Sequence, residues 1–214
     1  MLTVYGRATS SNVQALVWAL EELGCDYTRL DYGEGFGGLN TDAFRAMNPH
    51  GRIPVLVQDD LPPMFETGAI LRYVATVFGP DSFWPRDPVA RAQVDQWAEW
   101  AKRHVAEAFT GPVFWRVVRT PADRHDKPAI ARALAALEAE LATAEAQLAR
   151  HPFLAGPDLT LADIQFGHVL FRYFDIDIPR PALPNVTDYH NRLTQRPAYQ
   201  KAVMLSYDAL RDTI

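Results

Sequence analysis

The stretch Ala8–Leu23 reads ATSSNVQALVWALEEL, with Thr9, Ser10, Ser11 and Asn12 in a row before an abrupt change to an apolar-periodic run. One such side chain accepting from the first turn is enough to start a helix. The surplus has a second use. A helix N-terminus offers unpaired N–H groups and a partial positive charge that favour a nearby anion, and hydroxyl or amide donors beside it strengthen that preference. Glu66 and Thr67 form a second junction of this kind, an acid beside an N-cap threonine ahead of GAILRYVATVF. Between the two lies Ile53-Pro54, at the entry to an apolar strand. Proline cannot donate to a sheet ladder, so it must stand at a strand start or a turn, where a cis bond is affordable.

Other chemistries are excluded or bounded. Cys25 is the only cysteine, so there is no intrachain disulfide and no Cys-x-x-Cys redox or zinc motif, and any thiol chemistry uses a thiol brought from outside. It follows the end of the first helix and reads as a small, partly buried apolar residue. The six histidines lack metal-site spacing, and no metal is expected. A formal charge of −5 without a Lys/Arg block argues against nucleic acid as a partner. No apolar run approaches the roughly 20 residues of a membrane span, and the N-terminus lacks a signal-peptide order, so a cytoplasmic protein without membrane association is expected. The glycines at 33, 35, 37 and 38 do not follow a nucleotide-binding spacing and read as a flexible loop.

These residues need elements to position them. LTVYG (Leu2 to Gly6) reads as a strand. Val13, Leu16, Val17 and Leu20 recur at helical spacing, giving a helix that ends near Gly24. DYTRLDY is a second strand, which makes a parallel β-α-β unit natural. A short helix from Thr41 to Met47, strands in RIPVLVQ and MFE, and a helix from Thr67 to Phe78 complete a β-α-β-α-β-β-α order over residues 1–78. GPDSFWPRDP, with three prolines and a glycine, marks a linker, placed at 79–87. Residues 88–214 then read as all helix, with long helices at Ala90–Val118 and Ala129–Arg150. Thr160 and Asp163 in LTLADI fit a variant of the capping box.

The ordered set NPHGRIPVL, FETGAILRY and LTLADI, in this arrangement of halves, resembles the soluble glutathione transferases over essentially the whole chain. The resemblance implies a thioredoxin-like domain followed by an all-helical domain, a homodimer, and glutathione as co-substrate. Aligned on the run to Gly24, Ser10 falls on the catalytic position of the serine-type members and Asn12 on the asparagine that some bacterial members use. Which of Ser10, Ser11 and Asn12 meets the sulfur stays open, and Tyr5 competes, because other members use a tyrosine near the first strand.

By the same resemblance Glu66 and Thr67 hold the γ-glutamyl end, the Ile53 backbone before Pro54 pairs with the cysteinyl part, and Arg52 reaches the glycyl carboxylate. Asn40 and His50 are weaker candidates. The electrophile is expected between the domains, against Phe109, Phe114, Trp115 and Tyr173, with Arg172 available to an anionic one. The implied activity is detoxifying conjugation of the glutathione thiolate to small hydrophobic electrophiles. Glutathione-dependent disulfide or peroxide reduction and a non-catalytic binding or adaptor role are the alternatives. The dimer is expected to join the helix after Glu66, carrying Ala69 and Arg72, to the first long helix of the partner, carrying Ala92, Asp95 and Glu99.

Overall fold

The computed structural model describes residues 1–214, which divide into two compact units. Met1–Pro80 and Ala198–Leu205 form the first, and Asp81–Pro197 with Ser206–Ile214 the second. Ala198–Leu205, part of the helical stretch in sequence, thus clusters with the N-terminal unit, and much of the 79–87 linker belongs to the second.

The first unit is a four-stranded mixed sheet in the order β2-β1-β3-β4, with β1 at Leu2–Tyr5, β2 at Tyr27–Leu30, β3 at Val55–Gln58 and β4 at Met64–Phe65. β1 runs parallel to β2 and antiparallel to β3, and β3 pairs antiparallel with β4. The helices are α1 (Ser11–Glu22), α2 (Asp42–Met47) and α3 (Thr67–Phe78). This is the thioredoxin-like β-α-β-α-β-β-α order. Leu2 and Val4 alternate with half-buried Thr3 and Tyr5, the period-2 pattern of a strand with one face in the core. α1 and α3 pack together, burying Leu16, Leu20, Ile70, Leu71 and Val74. Trp18 is wholly buried and meets the edge of Tyr199 at 4.8 Å between ring centroids, which ties the 198–205 segment to this unit. Burying a ring of that size stabilises the unit by about 4–6 kcal/mol on area grounds.

The second unit is all helix. Asp87 caps its first helix, α4 (Pro88–Trp100), accepting from the Val89 and Ala90 N–H groups at 3.1 and 2.8 Å, with Pro88 in the first turn, where its missing N–H costs nothing. The single α-helix expected over 90–118 instead winds into wider π turns at Ala101–Ala106 and Thr110–Arg119. Pro112 accounts for the second of these: it has no N–H to give to the preceding turn, and its ring forces that turn open. The helix Lys127–Leu148 starts at Asp126, whose carboxylate accepts from the Ala129 N–H at 2.9 Å.

The helix Leu161–Gly167 is buried on every side. Asp163 reaches back to the Thr160 N–H at 2.8 Å and also accepts from Leu154 N–H and the Tyr189 hydroxyl, both at 3.0 Å. It holds the helix start rather than a reactant. No helix is long and apolar enough to cross a membrane.

Candidate functional site

The register of the sheet brings three separate segments to one end. Tyr5, the last residue of β1, faces Val55, the first of β3, and Val55 faces Phe65, the last of β4. The residues just beyond are therefore neighbours: Gly6 to Ser10 leading into α1, Ile53-Pro54 leading into β3, and Glu66 leading into α3. Gly6 makes the first approach possible. It has φ of +152°, and a Cβ there would lie 2.5 Å from Val13 Cγ2 and 3.2 Å from Ile53 Cβ. Only a residue without a side chain lets the strand turn this closely into its helix.

Ser10 occupies the N-cap of α1 with extended backbone, φ −80° and ψ 124°. Its carbonyl accepts from Gln14 N–H at 2.9 Å and its own N–H donates to Arg7 O at 3.1 Å. Its hydroxyl makes no capping bond, and the first turn holds no acidic residue. The Ser10 hydroxyl is thus left over as a cap, at a helix start without an acidic residue, which is an arrangement that favours an anion. Asn12 lies one residue into α1 and is half-buried.

The Ile53-Pro54 segment is held from below by Asn48, which is 2% exposed. Its amide donates to Arg52 O at 2.8 Å and its side-chain oxygen accepts from His50 N–H at 3.0 Å. Arg45 adds a second brace, donating to Pro49 O and to Asn40 Oδ1, each at 2.8 Å. The Ile53-Pro54 peptide is cis and Pro54 is buried, while Arg52 is exposed. His50 turns its ring toward Phe65, 6.0 Å away.

Glu66 stands at the N-cap of α3 with φ +67° and ψ 115°, a left-handed value that a non-glycine residue holds at a cost of about 1–3 kcal/mol. Its side chain makes no capping bond, so the carboxylate stays beside an uncapped helix start, and Thr67 is buried next to it.

The N-terminal domain model of glutathione S-transferases matches residues 1–76, and the C-terminal domain model matches 106–197. The chain is 33% identical to the glutathione S-transferase GstB of Escherichia coli over 207 residues, covering 96% of this chain and 99% of that protein. The chain belongs to the glutathione S-transferase family. It is also 32% identical to glutathione S-transferase 3 of Zea mays, over 94% of this chain and 93% of the other. A theta-class glutathione S-transferase of Xanthomonas axonopodis pv. citri, solved with glutathione bound, superposes with a TM-score of 0.90 at 40% identity, covering 96% of this chain and 98% of that one.

Within this family frame, the remaining candidates separate. The Tyr5 ring meets the edge of Tyr32 at 5.2 Å, and Tyr32 stacks on Phe44 at 5.3 Å, so the ring is spent on packing. Cys25 is half-buried past the end of α1, and burial followed by the neighbouring Asp26 carboxylate pushes its thiol up, away from the reactive thiolate. In the helical unit, Phe109 lies against Phe114 at 6.0 Å and Tyr173 at 6.1 Å, and all three are buried. Their rings pack on one another, and Trp115, 44% exposed, is the one of the four open to solvent. Arg172 is buried with its guanidinium 4.8 Å from the Phe114 ring centre.

Three residues of this sheet end escape sequence reasoning. Asn48 and Arg45 brace the loop, and an Asn ahead of a Pro-x-Gly turn is a usable signal for the first. Arg7 carries no signal at all. It follows Gly6, its N–H continues the β1–β2 pairing to Tyr32 O at 3.0 Å, and its guanidinium holds Glu34 of the glycine-rich loop at 2.9 Å.

Proposed function

We propose that the protein is a serine-type glutathione transferase that joins the glutathione sulfur to small, hydrophobic electrophiles. One juxtaposition supports this most: the uncommitted Ser10 hydroxyl, the Ile53-Pro54 backbone and the Glu66–Thr67 helix start flank the same end of one sheet. From β1 to β4 is two strand spacings, roughly 10 Å, which is about the length of an extended tripeptide.

In this reading Glu66 takes the γ-glutamyl ammonium, and Thr67 with the first N–H groups of α3 takes its carboxylate. The Ile53 N–H and C=O pair with the cysteinyl part as a short added strand, and Arg52 faces the glycyl carboxylate. The sulfur then lies at the start of α1. There the Ser10 hydroxyl donates to it, with Asn12 as a second donor, and the thiolate is favoured over the thiol. The sulfur lone pair forms a C–S bond to the electrophilic carbon. The leaving group departs with its bonding pair, or in an addition the pair moves along the activated double bond and a proton from water completes the product. Proximity and thiolate stabilisation supply the rate, with no covalent enzyme intermediate. Of the aromatic candidates, Trp115 is the one assigned to the electrophile.

A second reading, disulfide reduction, is favoured by the Asn12 amide in the first turn of α1 and needs no protein thiol. One glutathione thiolate attacks the disulfide and releases a thiol, and a second resolves the mixed disulfide. Assay with glutathione and a chloronitrobenzene, beside a small dialkyl disulfide, separates the two. Conjugate formation supports the transferase, turnover of the disulfide alone supports the reductase, and failure to bind glutathione by calorimetry leaves the adaptor reading.

The protein is further proposed to be a cytoplasmic homodimer. Val77 and Phe78 on α3 and Val89 on α4 are exposed apolar residues on the helices assigned to that contact. Sedimentation at micromolar concentration is expected to give twice the chain mass, and a monomer with full glutathione turnover would refute it.

A further inference from the structure

The helical unit holds a cavity that the proposed glutathione chemistry does not use. Its volume is about 720 Å³, inside the roughly 300–1,000 Å³ typical of small-molecule sites, and all of its walls belong to Asp81–Pro197 and Ser206–Ile214. The floor is aliphatic: Val118, Leu134, Ile176 and Ile178 are buried, with Ile130 and Ala131 nearer solvent. No phenyl, phenol or indole ring lines it.

Hydrogen bonds fix the walls from behind. DIDIP, at 175–179, alternates exposed aspartates with buried isoleucines. Arg180 holds the backbone of this segment, donating from Nε to Tyr173 O at 2.9 Å, from Nη1 to Ile178 O at 3.2 Å and from Nη2 to Ile176 O. The C-terminal tail, which brings Arg211 to the cavity, is tied to the end of the π turns. Asp212 N–H donates to Val118 O at 3.1 Å and Ile214 N–H to Arg119 O at 2.9 Å. The Tyr207 hydroxyl joins tail to loop by donating to Asp175 Oδ2. Side chains close over an apolar hollow of this size unless their backbones are held apart; here they are held, so the site is preformed.

The charges of the lining cancel. Lys127 and Arg211 are matched by Asp175 and Asp177, two against two, while His125 spends its Nε2–H on Thr120 O at 3.0 Å. One layer out, Asp208 pairs with Arg211 at 3.0 Å and the Arg180 guanidinium backs the loop, so the balance holds there as well. An ionic ligand would give up its hydration for a rim with no surplus charge of either sign. A neutral one keeps the balance, and a hydroxyl on it can accept from the Lys127 ammonium and donate to the Asp177 carboxylate. An aliphatic body behind that hydroxyl takes the floor out of water, which is favourable by about 25 cal/mol per Å².

We propose that this cavity is a second, non-catalytic binding site, for neutral aliphatic molecules that carry a hydroxyl, of the long-chain or alicyclic alcohol class. It is independent of the glutathione reading and uses none of the same residues.

The test is calorimetric binding of 1-decanol, decanoate and decylamine, each below its micellar concentration, to the whole chain as wild type, Ala131→Trp and Ala131→Ser. The wild type is expected to bind decanol at least tenfold more tightly than either ion. Ala131 is exposed on its helix and lines the cavity, so an indole there fills space without entering the core. Ala131→Trp should therefore weaken decanol at least tenfold while Ala131→Ser stays within twofold of the parent. Should Ala131→Trp not fold, half-buried Val117→Trp, from a different wall, takes its place. Absence of decanol binding to the wild type would overturn the proposal, as would equal affinity for the three probes, the mark of unspecific partition of the chain. Decanol binding that the filling variant leaves unchanged would overturn it too, by placing the alcohol elsewhere.

Discussion

Asn48→Ala isolates the device that holds the Ile53-Pro54 backbone. The substitution removes two hydrogen bonds, to Arg52 O and from His50 N–H, from a residue that is 2% exposed. Each is worth about 0.5–1.5 kcal/mol net, and the freed groups belong to exposed residues that water can reach, so a loss of about 2 kcal/mol is expected. For a chain of this size that lowers Tm by about 4–8 °C in scanning calorimetry. The loop it ties is also the one proposed to pair with glutathione. Without Asn48, binding must first order residues 48–53, and glutathione affinity should fall about tenfold. Arg45 still braces Pro49, so binding is weakened rather than abolished. A lower Tm with unchanged affinity would refute the role of this loop as the glutathione platform. An unchanged Tm would refute the energetic argument itself.

Glu66→Gln keeps the size of the side chain and removes its charge, so glutathione affinity should drop at least tenfold in calorimetry while Tm stays nearly level. Parent-level affinity would remove the γ-glutamyl assignment. Stability should also respond to acid through His168, whose pKa burial, with Lys102 nearby, pulls down to about 3, and through half-buried His190, stacked on Phe174 and pulled down to about 4 by burial. Unfolded histidines take up protons near pH 6.5 while these do not, so their stabilisation is complete above pH 6.5. It falls by about 1.4 kcal/mol per pH unit for each histidine as pH drops toward 4. Buried Asp163 has its pKa raised and works in the opposite sense at the acid end. Urea midpoints at pH 7.5 and 5.0 should differ less in His168→Gln than in the wild type, and an equal difference would rule His168 out.

The parts of the molecule that follow from local periodicity and punctuation are legible in the chain. α3 begins at Thr67 and ends at Phe78 as the apolar spacing after Glu66 requires, and β1, α1 and α2 differ from expectation only at their ends. Pro112 lies inside the stretch expected to be one long helix; a proline can end a helix or widen it, and the sequence around it, with apolar residues on both sides, does not choose. The site divides in the same way. Ser10 and Glu66 are legible because helix starts carry composition signals. The unused Ser10 hydroxyl and the left-handed Glu66 backbone are not, since both depend on where the neighbouring strands end. Phe109, Phe114 and Tyr173 show the limit from the other side: their spacing suits a pocket wall or a core equally, and their burial against one another is not readable from it. Arg7 is an ordinary surface residue type, and its burial is a property of the tertiary fold alone.

The start of α1 is proposed to hold the glutathione sulfur as a thiolate through Ser10. The most direct measurement of this is the pH titration of thiolate absorbance for glutathione bound to the wild type and to Ser10→Ala. The bound thiol of the wild type is expected to ionise about one unit or more below the free value near 8.5. Ser10→Ala should return it most of the way while glutathione affinity changes less than threefold, since the hydroxyl meets the sulfur and not the peptide body. A bound thiol that titrates as it does in solution, or a lowered value that Ser10→Ala leaves in place, would rule out Ser10 as the group that holds the thiolate.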